Sequence, residues 1–149
     1  MKLYETNEIR NIALLGHIGS GKTTLSEAML VISGTKEKMG NTLNGTTSSD
    51  YHKEEKEKHF SIRLSPLTME YQGHKYNILD YPGYEDFKGD IYSSIDIIDG
   101  AVLVIDGSSG IELGTINSWK LLEDNNIPRI IFINKMNKGF INYKKLLEE

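Results

Sequence analysis

The chain has 149 residues, of which 38% are hydrophobic and 26% charged, and its formal net charge is −4. This length is enough for one domain with a real core, and the acidic balance argues against a basic surface, so we expect no direct DNA binding and only local contact with RNA. The lack of cysteine excludes a disulfide framework, and because no run of about 18 apolar residues predicts a membrane span, we expect a cytoplasmic protein with no membrane partner.

The first informative segment is a phosphate loop, Gly16–Thr23, with the sequence GHIGSGKT and the pattern G-x-x-x-x-G-K-[ST]. It lies between an apolar run, Ile9–Leu15, that predicts a strand and a stretch with helical periodicity that ends at Gly34. Backbone N–H groups of such a loop and the following helix N-terminus favour phosphate oxygens. Lys22 would reach the β- and γ-phosphates, and the Thr23 hydroxyl would ligate Mg²⁺. The residues predicted to surround the phosphates are Gly16, His17, Ile18, Gly19, Ser20, Gly21, Lys22, Thr23 and Thr24.

A helix, a long loop and a charge run are expected next. Helical spacing of apolar residues predicts an inner helix face made of Leu25, Ala28, Met29 and Ile32. Segment Gly34–Ser49 is poor in large apolar residues and predicts a mobile loop, of the kind that is usually functional. The charge run Lys53–Lys58 is interpreted as a solvated helical face.

A hairpin follows the charge run. Phe60–Tyr71 alternates apolar and polar residues, and Gln72 with Gly73 predicts a turn into a second strand, Lys75–Leu79. Since proline has no N–H to donate, Pro66 confines the first of these strands to a sheet edge.

The second half alternates helices and strands. Apolar periodicity predicts a second helix from Phe87, Ile91, Ile95 and Ile98, and a third with an inner side of Ile116, Trp119 and Leu122. Ser109 and Glu112 form a capping-box pattern that would open the third helix. Buried strands are predicted at Ala101–Ile105 and Arg129–Ile133, and one more helix at Tyr143–Glu149. The order predicts an α/β sheet.

Asp80 follows a predicted strand and is placed to support Mg²⁺, directly or through water. Three residues later, Gly83 leaves a backbone N–H free to approach a γ-phosphate closely.

Asn134–Asn137 ends the last strand on the same sheet edge, which predicts a base pocket formed by Asn134, Lys135 and Asn137. An aspartate at the fourth position would mark guanine, but Asn137 offers one acceptor only. Leaving a guanine donor unpaired should cost about 1–3 kcal/mol, so xanthine is expected to fit better.

With these motifs in order, the chain resembles translation-factor GTPases, specifically the G domain of elongation factor G and its elongation factor G-like relatives. The matching segments are Gly16–Leu25, Asp50–Ile62, Asp80–Phe87 and Asn134–Asn137. The resemblance runs through Ile9–Asn137. It implies a Ras-like P-loop GTPase fold, mainly parallel with one antiparallel edge strand, that binds GTP or GDP with Mg²⁺, and a ribosome partner for the intact protein.

The resemblance also implies site roles. It places Ser61 at the switch I threonine that ligates Mg²⁺, together with Thr23 and Asp80. Two switch segments, Gly34–Ile62 and Gly83–Gly89, would be ordered by the γ-phosphate and released after hydrolysis.

The family's G domain continues with a further base-contacting loop, an edge strand and a helix. We therefore expect residues 1–149 to form a partial G domain, incomplete at its C-terminus, with Ile130–Ile133 on an uncovered edge.

Two further departures concern catalysis. Tyr84 stands where the family carries a histidine that orients the attacking water, and a phenol of pKa near 10 cannot act as an imidazole does. Gly19 replaces an acidic residue of the family's loop. Lys22, Gly83 and Tyr84 are the candidate catalytic residues, and we expect slow GTP hydrolysis, or none from this chain alone.

The leading hypothesis is a GTP-hydrolysing translation-factor domain. One alternative is a nucleotide-binding pseudo-GTPase or a non-functional fragment, which Tyr84 and Gly19 favour. Another is a ribosomal protection factor of the tetracycline-resistance type, which shares the G domain.

Overall fold

The computed structural model describes residues 2–49, 52, 54–55, 61–83, 89–138, 144 and 148. Its strands are β1 (Ile9–Leu15), β2 (Ser65–Tyr71), β3 (His74–Asp80), β4 (Gly100–Asp106) and β5 (Arg129–Asn134). Its α-helices are α1 (Lys22–Ile32), α2 (Gly89–Ser94) and α3 (Leu113–Asp124), with short 3-10 turns at Thr6–Glu8 and Ile95–Ile97. Gly34–Ser49 contains no helix or strand, as predicted.

The five strands form one sheet in the order β2-β3-β1-β4-β5. β1 pairs in parallel with β3 and β4, and β4 pairs in parallel with β5. β2 pairs antiparallel with β3 and occupies the edge, where Pro66 was predicted to place it. The expected α/β class, mainly parallel with one antiparallel edge strand, is confirmed. In the described part of the chain, no helix has the length and apolar character needed to cross a membrane.

Two hydrophobic clusters cover the two faces of the sheet. Successive residues of β1 point to opposite faces, so Ala13 and Leu15 join one cluster while Leu14 joins the other. The first cluster includes Ile91 of α2 and Leu122 of α3. The second packs α1 against the sheet, through Leu30, Leu67, Met69, Ile78, Val102 and Val104. Helices on both faces leave the carboxyl ends of β1, β3, β4 and β5 at one edge.

The inner face of α1 differs from the prediction in part. Leu25 and Met29 pack against the core as expected, but Ile32 is 74% exposed. The fully inward positions are Lys22, Ser26, Glu27 and Leu30. Because Lys22 must point into the phosphate loop, it sets the phase of the helix, and residues at four-residue intervals from it face inward.

The start of α3 also differs from the prediction. The helix begins at Leu113, and its N-cap Glu112 makes no side-chain cap hydrogen bond, so the capping box at Ser109 is wrong. Ser109 instead lies in a turn, where its N–H donates to the Asp106 carbonyl at 3.1 Å. That turn carries the chain from the end of β4 toward α3.

The outer edge of the sheet carries an open apolar face. Leu122 is buried, but Ile116 and Trp119 are 42% and 38% exposed, so only part of the predicted inner side of α3 is buried. Ile130 and Ile131 of β5 are 65% and 52% exposed. The prediction of a buried β5 is therefore wrong: within the described residues β5 is an edge strand whose Ile130, Ile131 and Phe132 are exposed, whereas Ile133 is half-buried.

Two predicted elements are shorter in the structure than expected, and some residues of the predicted helices lie outside the described residues. The strand predicted from Phe60 begins at Ser65, and the second helix covers Gly89–Ser94 before its 3-10 turn. Phe87 lies outside the described residues, as does most of the helix predicted at Tyr143–Glu149.

Candidate functional site

The phosphate loop joins β1 to α1 with a backbone that favours glycine at three places, one of which is Gly19, with φ +75°. Gly16 has φ +140° and Gly21 has φ +99°, in the region that L side chains rarely adopt. A Cβ at Gly16 would lie 2.2 Å from the Val104 carbonyl oxygen, and one at Gly21 would lie 2.3 Å from Asn134 Nδ2. The loop is therefore wedged between β4 and the end of β5.

Lys22 lies inside this loop. Its side chain is buried, and its Nζ donates to the carbonyl oxygens of Gly16 and His17, both at 3.0 Å. Burial lowers the pKa of the Lys22 amine to about 8, and the nearby Asp80 carboxylate opposes this shift. At neutral pH the loop thus encloses a positive charge.

Three side-chain oxygens converge beside Lys22. Thr23 Oγ1 donates to Asp80 Oδ2 at 2.9 Å and lies 3.2 Å from Ser61 Oγ. Asp80 is fully buried at the end of β3, where its register partner is Leu14 of β1. Hydroxyl and carboxylate oxygens are the donors that Mg²⁺ prefers. With one carboxylate among the three, this oxygen set suits a cation that also takes oxygens from a phosphate.

Gly83 lies directly on the phosphate loop. A Cβ at Gly83 would lie 2.7 Å from Lys22 Nζ and 2.7 Å from Ile18 Cα. The chain after Asp80 therefore returns to the loop with no room for a side chain. Tyr84 lies outside the described residues, so its place in the site stays a prediction.

The end of β5 is bound to the other side of the loop. Asn134 Nδ2 donates to the Ser20 carbonyl at 2.9 Å, and Lys135 Nζ donates to the Gly19 carbonyl. Lys135 adopts φ +57°, an unusual backbone for a residue other than glycine. Asn137 lies in the exposed turn that follows. The structure thus brings Asn134 and Lys135 to the loop and leaves Asn137 at the rim.

Asp106, at the end of β4, is a site residue that the sequence analysis missed. Its Oδ2 lies 2.6 Å from Lys135 Nζ, and its Oδ1 accepts from the Ser108 backbone N–H at 2.9 Å. Burial alone would raise the pKa of the Asp106 carboxyl, but the hydrogen bonds from Lys135 and Ser108 lower it to about 2. A carboxylate at the carboxyl end of a buried strand was the signal that could have found it.

His17 connects the loop to α3. Its Nδ1 accepts from the Gly114 backbone N–H at 3.3 Å, and its Nε2 lies 3.5 Å from Glu112 Oε1. Among the remaining predicted loop residues, Ser20 is buried and Thr24 is exposed.

Two buried carboxylates outside the predicted site accept hydrogen bonds from residues before and after Ser61. Glu27 of α1 is fully buried and accepts hydrogen bonds from the loop after α1. Glu55 is also fully buried, so its interpretation as part of a solvated face is wrong. Its Oε1 accepts from the backbone N–H groups of Ile62 at 2.9 Å and Arg63 at 3.2 Å. These backbone donors explain how a charge run places a carboxylate in the interior.

Comparisons with known proteins agree on one family. The family model described as elongation factor Tu GTP binding domain matches residues 7–149. Mitochondrial ribosome-releasing factor 2 of Drosophila ananassae is 37% identical over 97% of this chain and 19% of its own length. Elongation factor G of Gluconobacter oxydans is 39% identical over 89% of this chain and 19% of its own length.

A crystal structure of a Thermus thermophilus protein has a TM-score of 0.89 and 39% sequence identity with this chain, covering 95% of it and 21% of the solved chain. The chain thus spans about a fifth of the length of the relatives that it matches.

Proposed function

Because the chain belongs to the family of elongation factor Tu GTP-binding domains, we propose that it binds GTP with Mg²⁺ and hydrolyses GTP as the G domain of an elongation factor G-type translation factor. The observation that carries this proposal is the convergence of Lys22, Thr23, Ser61 and Asp80 at one end of the sheet, under Gly83. Relatives named for elongation and for ribosome release support the ribosome as the partner of the longer protein.

The proposed phosphate site is the loop Gly16–Thr23 with the adjoining Thr24. Its buried Lys22 amine, with a pKa of about 8, carries a positive charge at neutral pH. Lys22 Nζ now donates to the carbonyls of Gly16 and His17. When GTP is bound, it would donate to oxygens of the β- and γ-phosphates instead. Charge in this water-poor position stabilises the negative transition state of phosphoryl transfer.

The proposed metal ligands are Thr23 and Ser61, with Asp80 in support. Mg²⁺, when bound, would neutralise charge on the β- and γ-phosphates. The Thr23 hydroxyl donates a 2.9 Å hydrogen bond to Asp80, which fixes the orientation of that hydroxyl and leaves its oxygen lone pairs for a cation. We expect loss of this hydrogen bond to a proposed ligand to weaken Mg²⁺ binding about 10- to 100-fold.

The remaining proposed roles concern the γ-phosphate, the attacking water and the base. Gly83 would donate its backbone N–H to the γ-phosphate, and Tyr84 would position the attacking water. Asn134, Lys135 and Asn137 would hold the base. The cytoplasmic compartment stays a prediction, since the relatives include a bacterial and a mitochondrial protein.

One observation favours the alternative of a nucleotide-binding domain with little hydrolysis. Gly19 adopts φ +75°, a backbone that any side chain would strain even though a Cβ there would meet no atom within 4 Å, so the loop is built without the acidic residue of the family pattern. No described residue favours the ribosomal protection alternative.

Single-turnover hydrolysis of GTP by the chain, with and without ribosomes, tests the proposal. We expect Mg²⁺-dependent GTP binding that Lys22→Ala abolishes, and slow phosphate release. Binding without phosphate release under both conditions would establish the alternative, and no GTP binding would reject both.

A further inference from the structure

A buried carboxylate on α1 holds the long loop that follows this helix. Glu27 lies one helical turn after Thr23, so both side chains share a face of α1. Its Oε2 accepts from Lys36 Nζ and from the Gly40 backbone N–H, both at 2.6 Å. Its Oε1 accepts from the Ser48 backbone N–H at 2.5 Å. Because these donors satisfy both oxygens, the carboxylate is held in the interior in its charged form.

The loop is shaped to enclose this carboxylate. A Cβ at Gly40 would lie 2.6 Å from Glu27 Oε2 and 2.5 Å from the Thr46 carbonyl oxygen. Lys36 Nζ also donates to Ser48 Oγ at 2.9 Å, which joins two of the donors to each other. The contacts thus bind both ends of the 36–48 segment to one side chain of α1.

The end of this loop is tied to the edge strand of the sheet. The Ser49 carbonyl accepts from Ser65 Oγ at 2.7 Å, which ties the end of the loop to the start of β2. Both serines are buried, at 0% and 2% exposed. Ser49, which directly follows the Glu27 partner Ser48, is therefore held against the edge strand β2.

The second buried carboxylate acts on the other side. Glu55 accepts from the backbone N–H groups of Ile62 and Arg63, the two residues after Ser61. Ser61 Oγ lies 3.2 Å from Thr23 Oγ1. Thr23 and Ser61, both proposed metal ligands, thus lie in contact directly before the backbone that Glu55 holds.

We propose that Glu27 is a positioning residue: by holding residues 36–48 to α1, it sets the place of Ser61 beside Thr23 and so controls the Mg²⁺ affinity of the GTP-bound site. Glu27 is not itself a proposed ligand; it acts through residues 36–49 and through the hydrogen bond to the Ser49 carbonyl from Oγ of Ser65, which lies four residues beyond Ser61. The roles of Mg²⁺ and GTP in this inference rest on the proposed function. The role of Glu27 in holding the loop rests on the observed hydrogen bonds.

Glu27→Gln tests the inference with little change in side-chain volume. An amide can accept at one oxygen only, so it cannot receive Lys36 and both backbone N–H groups. The Mg²⁺ concentration that half-saturates GTP binding should rise about tenfold, the scale of a lost charged hydrogen bond. GDP binding without Mg²⁺ should be unchanged. Glu37→Gln, a matched change at an exposed position of the same loop, should alter neither. An unchanged Mg²⁺ requirement in Glu27→Gln would overturn the proposal.

Amide hydrogen exchange separates this inference from the proposed function, because it needs no nucleotide. Glu27→Gln should speed exchange at Gly40 and Ser48, which contact Glu27, and also at Ile62 and Arg63, which do not. Faster exchange at the first pair alone would mean that Glu27 holds only its own loop, and would overturn the inference. If the unmodified chain binds no GTP, the proposed function fails, but the exchange result still decides whether Glu27 affects the backbone beside Ser61.

Lys36→Met provides a second variant in case Glu27→Gln does not fold. It keeps the carboxylate and its two backbone donors and removes only the partly exposed counter-charge. We expect a shift in Mg²⁺ requirement in the same direction, of about threefold. No shift in this variant would also contradict the proposal.

Discussion

Lys135 Nζ lies 2.6 Å from Asp106 Oδ2, which joins the end of β5 to the end of β4 directly behind the phosphate loop. Lys135 also donates to the Gly19 carbonyl, so one side chain links two strand ends and the loop. The proposed base pocket is therefore built on a partly buried ion pair.

This ion pair predicts a specific loss of stability in acid. The pKa of Asp106 is lowered from 3.8 to about 2 in the folded state, so its contribution is present above pH 4 and is lost as the pH falls toward 2. We expect Asp106→Asn to remove about 1–2 kcal/mol at pH 7 and to flatten the free energy of unfolding between pH 4 and pH 2. Denaturant titrations at several pH values measure this. Asp96→Asn, at an exposed position, is the control, and an equal effect there would contradict the prediction.

Lys22 should show opposite effects on stability and binding. Its pKa is lowered from 10.5 to about 8, so the unfolded chain binds more protons between these values and stability rises with pH there. Lys22→Met removes a buried charge and should raise the free energy of unfolding at pH 7 by about 1 kcal/mol, because relief of desolvation exceeds two lost hydrogen bonds. GTP binding should disappear. Thermal melts and calorimetric titration check both, with the exposed Lys120→Met as control; a clearly less stable variant would refute the argument.

Gly83 should not tolerate a methyl group. In Gly83→Ala, the Cβ would lie 2.7 Å from Lys22 Nζ and Ile18 Cα. Because the chain must move away from the loop, we expect GTP affinity to fall at least about tenfold and stability to fall by about 1–3 kcal/mol. Gly89→Ala is the matched control, since a Cβ there meets nothing within 4 Å. Similar behaviour of the two variants would count against a close approach at Gly83.

Tyr84→His should accelerate hydrolysis without changing GTP affinity. An imidazole orients and accepts a proton from water near neutral pH, whereas the phenol does not. Single-turnover rates should rise about 10²-fold, the low end for a positioned acid–base group. Equal rates for the two chains would show that this position does not limit hydrolysis.

Asn137→Asp should reverse the base preference. The unmodified chain is expected to bind XTP better than GTP, since its amide leaves a guanine donor unpaired. The carboxylate should improve GTP binding by about 1–3 kcal/mol, or roughly 5- to 150-fold. Competition between the two nucleotides measures the change. If the unmodified chain already prefers GTP by orders of magnitude, Asn137 does not read the base.

Local patterns were enough to predict most of the elements. Strand β1 coincides with its predicted range, and the turn at Gln72 and Gly73 joins β2 to β3 as expected. Pro66 identified the edge strand because a missing N–H has the same consequence in any sheet. The prediction of a capping box at Ser109 was wrong because the Ser109 N–H donates to the Asp106 carbonyl at the end of β4, which places Ser109 in a turn before the helix.

The sequence by itself determined the loop between β1 and α1 and predicted which residues would meet there, because glycine, lysine and hydroxyl residues at fixed spacing act through their own backbone and neighbours. Only the tertiary structure decided the roles of Glu27, Glu55 and Asp106. In a periodicity analysis a glutamate counts as polar whether it faces water or the interior. Whether it is buried depends on donors such as Ser48 and Lys135, which lie 21 and 29 residues away in sequence from Glu27 and Asp106. Such partners are brought together only when the loops and strand ends meet at one edge of the sheet.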